Sequence, residues 1–292
     1  MTFLYLFSFF LTAALYAQTS VSDLWEQKTL ARLKQLDASW DGVLGAAAID
    51  LTSGQVISYN GGAIFPQASS IKIPVMIQVF RDVQAGKLRM DQKVPVNVAE
   101  SVSESPRFDA AAKTTGEMPL LDLVVAMMEL SDNAATNKLI NLVGMAQVNR
   151  TLDELRFINT RLRRKMIDIA AATRNEENVS TPMDMARLVE LLYRGKVVNE
   201  AASKQMLAIM SLANADFRKT IRATVRVASK PGSLNQVKCE TGIVFLHNRP
   251  FALSVASTFN PGESNPLADM IKIFFHHFEM LANSNRYGRS LQ

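Results

Sequence analysis

The chain has a single cysteine, Cys239, which excludes an intrachain disulfide. An exported protein of this length can fold without one. It has three histidines, His247, His276 and His277. The last two are neighbours that a helix turns to different sides, and no third ligand accompanies them, so no metal site is expected. No stretch beyond the N-terminus is long and apolar enough to span a bilayer. The charge excess is only +5, too mild to demand nucleic acid, though it suits an anionic small molecule or wall polymer. The basic run Arg161, Arg163, Arg164 and Lys165 is read as a solvated or ion-paired loop. Cys239 has no acid or base beside it in sequence and is read as a small strand residue. Internal repeats and low-complexity segments are also lacking.

What is present is enough apolar material, 48% of 292 residues, for a substantial core in one large domain or two intertwined lobes. Residues 1–17 carry no charge, and the apolar stretch within them has the length of an export signal rather than of a membrane span. Cleavage after Ala17 would leave a periplasmic or secreted domain at 18–292. A retained N-terminal anchor is the alternative.

Leu24, Leu30, Leu33 and Leu36 recur at helical spacing over residues 21–37. Residues 42–50 and 55–59 read as strands around the turn Thr52-Ser53-Gly54. The middle of the chain is helical, notably over 118–130, 134–143 and 182–194, with Gly144 and Gly195 placed to end two helices. Thr181, Pro182 and Asp184 make a helix start. Strands return at 224–229, 240–246 and 250–259, and residues 266–282 form a last amphipathic helix. The expected fold class is therefore α/β of the α+β kind. An antiparallel sheet is built from both chain ends (about 21–66 and 215–282), with flanking helices and an inserted helical lobe at about 67–214.

Three short motifs carry chemistry. Ser69 and Lys72, three apart at the start of an apolar helical run, share a face, so hydroxyl and amine can meet. A serine hydroxyl needs a base, and a lysine serves if burial and nearby cations lower its pKa. Ser131-Asp132-Asn133 falls between two helices, and Lys230-Pro231-Gly232-Ser233 closes a strand. Taken singly they are a helix cap, a cap and a turn.

Together, and in this order, they match the set Ser-x-x-Lys, Ser-Asp-Asn and Lys-Thr-Gly of class A β-lactamases and penicillin-binding proteins. The chain resembles class A β-lactamases along nearly all of residues 18–292, including GAAAIDLTSGQVISYN, LVVAMMELSDNAATN and VSTPMDMARLVELL. The resemblance implies that Ser69 attacks a lactam carbonyl, Lys72 takes its proton and Ser131 passes a proton to the leaving nitrogen. It assigns Asn133, Lys230, Gly232 and Ser233 to substrate binding, with the N–H groups of Ser69 and Ser233 as oxyanion hole. No cofactor is implied. The expected partner of this monomer is a small β-lactam or a cell-wall peptide, with no nucleic acid and no stable membrane association after signal cleavage.

Two departures matter. Where the family carries a deacylating glutamate, this chain has Met166, and Ala170 replaces an asparagine four residues on. Asp168 is the candidate substitute base, with Glu176 and Glu177 more distant. Pro231 replaces a threonine or serine, removing a hydroxyl and an N–H; Ser233 can supply a hydroxyl instead. Acylation is thus fully equipped while deacylation lacks its recognised base. The expectation is a slow β-lactam hydrolase. The alternative is a D,D-peptidase or penicillin-binding or sensing protein acylated without efficient turnover.

Overall fold

The computed structural model describes residues 20–262 and 264–291. The segment read as an export signal lies outside them. Among the described residues no helix is long and apolar enough to cross a membrane.

The strands are β1 (Val43–Asp50), β2 (Val56–Tyr59), β3 (Phe65–Pro66), β4 (Lys93–Pro95), β5 (Glu117–Pro119), β6 (Val179–Ser180), β7 (Val227–Leu234), β8 (Val237–Val244) and β9 (Phe251–Thr258). The helices are α1 (Val21–Ala38), α2 (Lys72–Gln84), α3 (Pro106–Thr114), α4 (Leu120–Glu129), α5 (Asn133–Val143), α6 (Met145–Glu154), α7 (Ile169–Thr173), α8 (Pro182–Tyr193), α9 (Glu200–Met210), α10 (Asp216–Thr220) and α11 (Leu267–Ala282).

Five strands form one antiparallel sheet in the order β2-β1-β9-β8-β7. The first-made strand thus pairs with the last-made one, Val43 opposite Thr258 through Asp50 opposite Phe251. The sheet is covered on both faces, which explains why β1 is apolar nearly throughout. Period-two alternation divides its side chains. Ala47 and Ile49 join the large core shared with the helices between the two halves of the sheet. Ala46 and Ala48 join the core under α1 and α11. Small residues are needed because layers approach closely: a Cβ on Gly45 would stand 2.5 Å from the Phe65 ring.

The local signals act as their chemistry dictates. Thr181 accepts a hydrogen bond from the Asp184 N–H at 3.0 Å, with Pro182 at the first position of α8. Gly144 ends α5 at φ 84°, and Gly195 follows α8 at φ 74°, both left-handed conformations that favour glycine. The expected strand at 224–229 is displaced to 227–234, so the Lys230–Ser233 motif lies within the strand rather than after it. A proline inside a strand costs a ladder hydrogen bond except at an edge, and β7 is an edge strand.

Where α1 meets α11, His277 is buried with its Nδ1 2.8 Å from the Thr29 hydroxyl and its ring stacked on Trp25. Its Nε2 has no partner among the described residues. Burial, with Arg249 nearby, pushes His277 down to about 4. A free histidine titrates near 6.5, so between those values the unfolded chain binds more protons. The neutral imidazole's contribution is therefore complete above about pH 6.5 and is lost as pH falls through about 4. His277→Leu is expected to flatten the acid limb of a Tm-against-pH curve over that window; an unchanged limb would show that other groups govern it.

Candidate active site

Ser69 lies in a short 3-10 turn, Ala68–Ile71, that leads into α2. In a 3-10 turn residues three apart eclipse, so Ser69 and Lys72 project the same way. The backbone N–H of Lys72 donates to the Ser69 carbonyl, closing that turn. Ala68, just before the nucleophile candidate, has φ 41°, a left-handed conformation unusual for a residue with a side chain.

The turn is fixed from below by the sheet. The buried Ser70 hydroxyl donates to the Lys230 carbonyl at 3.0 Å. The Cys239 thiol on β8 donates to the Gln67 carbonyl at 3.2 Å. Burial raises that thiol to about 11, so Cys239 is a protonated packing group and not a nucleophile. Gly232 lies directly against the turn. A Cβ there would stand 2.9 Å from the Ser69 nitrogen, 2.7 Å from the Gln67 carbonyl and 2.7 Å from the Cys239 sulfur. Two of these obstacles are backbone and cannot swing aside. Gly232→Ala is therefore expected to push β7 off the turn and lower acylation of Ser69 by at least about tenfold, a misplacement effect. Labelling with a fluorescent penicillin, with circular dichroism to verify folding, checks this; native-rate labelling would contradict it.

Lys72 is fully buried, and its ammonium makes three contacts. It donates to the Ser131 carbonyl at 2.6 Å, the Ser131 hydroxyl at 3.0 Å and Asn133 Oδ1 at 2.8 Å. The geometry depends on Ser131 at φ 58°, which turns carbonyl and hydroxyl toward the same amine. Burial first, then the Lys230 ammonium, hold Lys72 well below the usual lysine range, against the opposing charges of Asp132 and Glu104. Lys230 is itself fully buried, and desolvation brings it down to about 8. Asp132, the middle residue of the tripeptide, serves the scaffold. It caps α5 through the Ala135 N–H and accepts from the Arg107 and Phe108 N–H groups at 3.1 and 3.0 Å.

The structure thus brings Ser69, Lys72, Ser131, Asn133, Lys230 and Gly232 together. Ser233 follows on the same edge strand, its hydroxyl accepting from Lys238 Nζ at 2.8 Å. The loop acids are placed differently. Met166 is buried, and Asn137 clamps its backbone at both N–H (2.8 Å) and carbonyl (3.1 Å). Asn137 is one helical turn beyond Asn133, so position 166 is held beside the cluster. Asp168 is exposed and caps α7 through the Ala171 N–H at 2.9 Å. Glu176 pairs with Arg174, and Glu177 with Arg164. Among the described residues none of the three acids hydrogen-bonds to Ser69, Lys72, Ser131 or Asn133.

Two participants carried no sequence signal. Asn137 could have been found as the residue four after Asn133, but only once its partner was known. Glu104 touches the cluster through Asn133 Nδ2, at 3.4 Å, from a loop that no motif marks.

A sequence profile described as the beta-lactamase enzyme family matches residues 28–273. The imipenem-hydrolyzing β-lactamase of Enterobacter cloacae is 29% identical over 250 residues, 81% of this chain and 84% of that protein. The crystal structure of a β-lactamase from Sphaerobacter thermophilus superposes with a TM-score of 0.77 at 27% identity, covering 88% of this chain and 97% of that one. A mutant of the class A β-lactamase of the last common ancestor of Gram-negative bacteria gives 0.81 at 25% identity, covering 86% and 98%. The match covers well over half the chain, and the chain belongs to the β-lactamase enzyme family, among its class A members.

Proposed function

We propose that this protein opens β-lactam rings through an acyl-enzyme on Ser69 and releases the product slowly. The observation that carries this reading is the buried Lys72 amine, held between Ser131 and Asn133 one 3-10 turn from Ser69.

An ammonium has three N–H donors, and all three are engaged; the neutral amine keeps two and gains a lone pair. Burial and Lys230 favour that neutral form. Ser69 Oγ then bonds to the lactam carbonyl carbon while its proton passes to Lys72. Charge developing on the carbonyl oxygen is met by the N–H groups of Ser69 and Ser233, Gly232 keeping the two strands of backbone close. The ring C–N bond breaks, and the nitrogen takes a proton through the Ser131 hydroxyl, which already touches Lys72. Lys230 attracts the substrate carboxylate, and Asn133 receives the side-chain amide.

Hydrolysis of the ester then needs a base for water. The Met166 thioether is none, and Asp168 is a candidate only if its cap on α7 opens. A lost general base costs about 10²–10⁴-fold. Mixing the protein with a chromogenic cephalosporin should therefore release about one equivalent of product quickly and the rest slowly, with an adduct on Ser69 visible by intact mass. Absence of any adduct would overturn the reading. One equivalent with no further turnover would select the second reading, a D,D-peptidase or penicillin-binding protein, which the methionine at 166 favours.

A further inference from the structure

The cluster holds two buried cations, Lys72 and Lys230, and one exposed carboxylate, Glu104, touches it through Asn133. Glu104 lies in the loop before α3. Three contacts strap that loop to the start of α5: the Asn133 N–H to the Glu104 carbonyl at 3.1 Å, and Asn133 Nδ2 to the Ser103 carbonyl at 3.1 Å and to Glu104 Oε2 at 3.4 Å. Glu104 holds φ 59°, a conformation that costs a non-glycine residue energy and persists only when its surroundings impose it. Here it leaves the side chain on Asn133. Asp132, the other acid whose charge reaches Lys72, has both oxygens taken by backbone N–H groups. Glu104 is exposed and makes one long side-chain contact, so most of its hydrogen-bonding capacity stays open to solvent or to a ligand bound against Asn133.

We infer that Glu104 makes this site select substrates that carry a cationic group next to the acylamino side chain. The inference rests on the proposed reading in which Asn133 receives that amide. An ammonium one carbon from the amide carbonyl then comes beside the Glu104 carboxylate, whereas a second carboxylate there is repelled. The loop that orients Asn133 is thus also a charge filter.

Three penicillins with one bicyclic core test it: ampicillin with an α-ammonium, benzylpenicillin uncharged at that carbon, and carbenicillin with an α-carboxylate. Second-order rate constants for acylation of Ser69, measured by competition with a fluorescent penicillin, should fall in that order. Each unit of charge should be worth about threefold to fivefold, the size of a partly exposed ion pair. Glu104→Gln should draw the three constants together, and Glu104→Lys should reverse their order. Ratios within one variant cancel any common effect transmitted through Lys72. Acylation by all three at one rate, or ratios that ignore both substitutions, overturns the inference and leaves the proposed chemistry standing. Failure of all three to acylate Ser69 overturns both.

Discussion

Replacing Lys72 with alanine is expected to lower the rate of Ser69 acylation by about 10²–10⁴-fold, the span assigned to a positioned base. The amine joins two members of the cluster from different places in the loop–helix junction, donating to the Ser131 hydroxyl and to Asn133 Oδ1. Lys72→Arg separates two explanations. Arginine keeps the positive charge but does not give up its proton in a protein. A base role predicts that arginine is as damaging as alanine; a purely electrostatic role predicts that it rescues. Acylation by the arginine variant within tenfold of the native rate would remove the base role. A pH profile gives an independent reading. Acylation should decline as pH falls and Lys72 takes up its proton, at a pH well below the ordinary lysine range because burial and Lys230 disfavour the charge. Lys72→Ala also leaves the Asn133 amide oxygen short of a donor, at a cost of about 1–3 kcal/mol, so folding of both variants is verified by thermal melting.

Met166→Glu should have the opposite effect, shortening the life of the acyl-enzyme by about 10²–10⁴-fold. The backbone at 166 is clamped by Asn137, one turn along α5 from the residue that holds Lys72. The position is thus already beside the site, and what it lacks is a group that can take a proton. Intact mass spectrometry at intervals after removal of excess β-lactam reads the lifetime directly. Met166→Gln is the control, of similar size and without basicity, and should leave the adduct long-lived. A long-lived adduct in the glutamate variant would show that position 166 does not command the water. Met166 is only 7% exposed and packs in the large core, so a carboxyl there also costs stability. A loss of about 1–3 kcal/mol in the glutamate variant, read as a lower Tm, is part of the prediction.

The site was legible where chemistry is local to the chain. Ser69 and Lys72 are three apart, and their shared face follows from helical geometry alone. The sheet built from both chain ends was legible because β1, β8 and β9 are bounded by turn residues. Where burial, strain or tertiary support decides, the sequence was silent. Sequence pattern alone ends β7 at Ser229, because proline and glycine ordinarily end strands; its edge position, which admits Pro231, is a property of the assembled sheet. Asp132 looks like its neighbours in sequence, yet it binds three backbone N–H groups while Ser131 and Asn133 face the lysine. Glu104 owes its place to a left-handed backbone that no local pattern encodes. Asp168 stands near the right place by counting, but a short helix that follows it claims its carboxylate.

The pairing of β1 with β9 also sets a timetable. A ribosome or an export channel delivers Ser69 long before Lys230, and until the last strands emerge β1 has only the short β2 beside it. If Ser69 is the nucleophile, the nascent protein should therefore stay unreactive during its manufacture, however well α2 has already formed, because β7 and β8 still lack the β9 that joins them to β1. On the proposed chemistry, competence to be acylated arrives only with the closing stretch of the polypeptide, and a fragment halted before Phe251 is expected to stay unlabelled by a fluorescent penicillin.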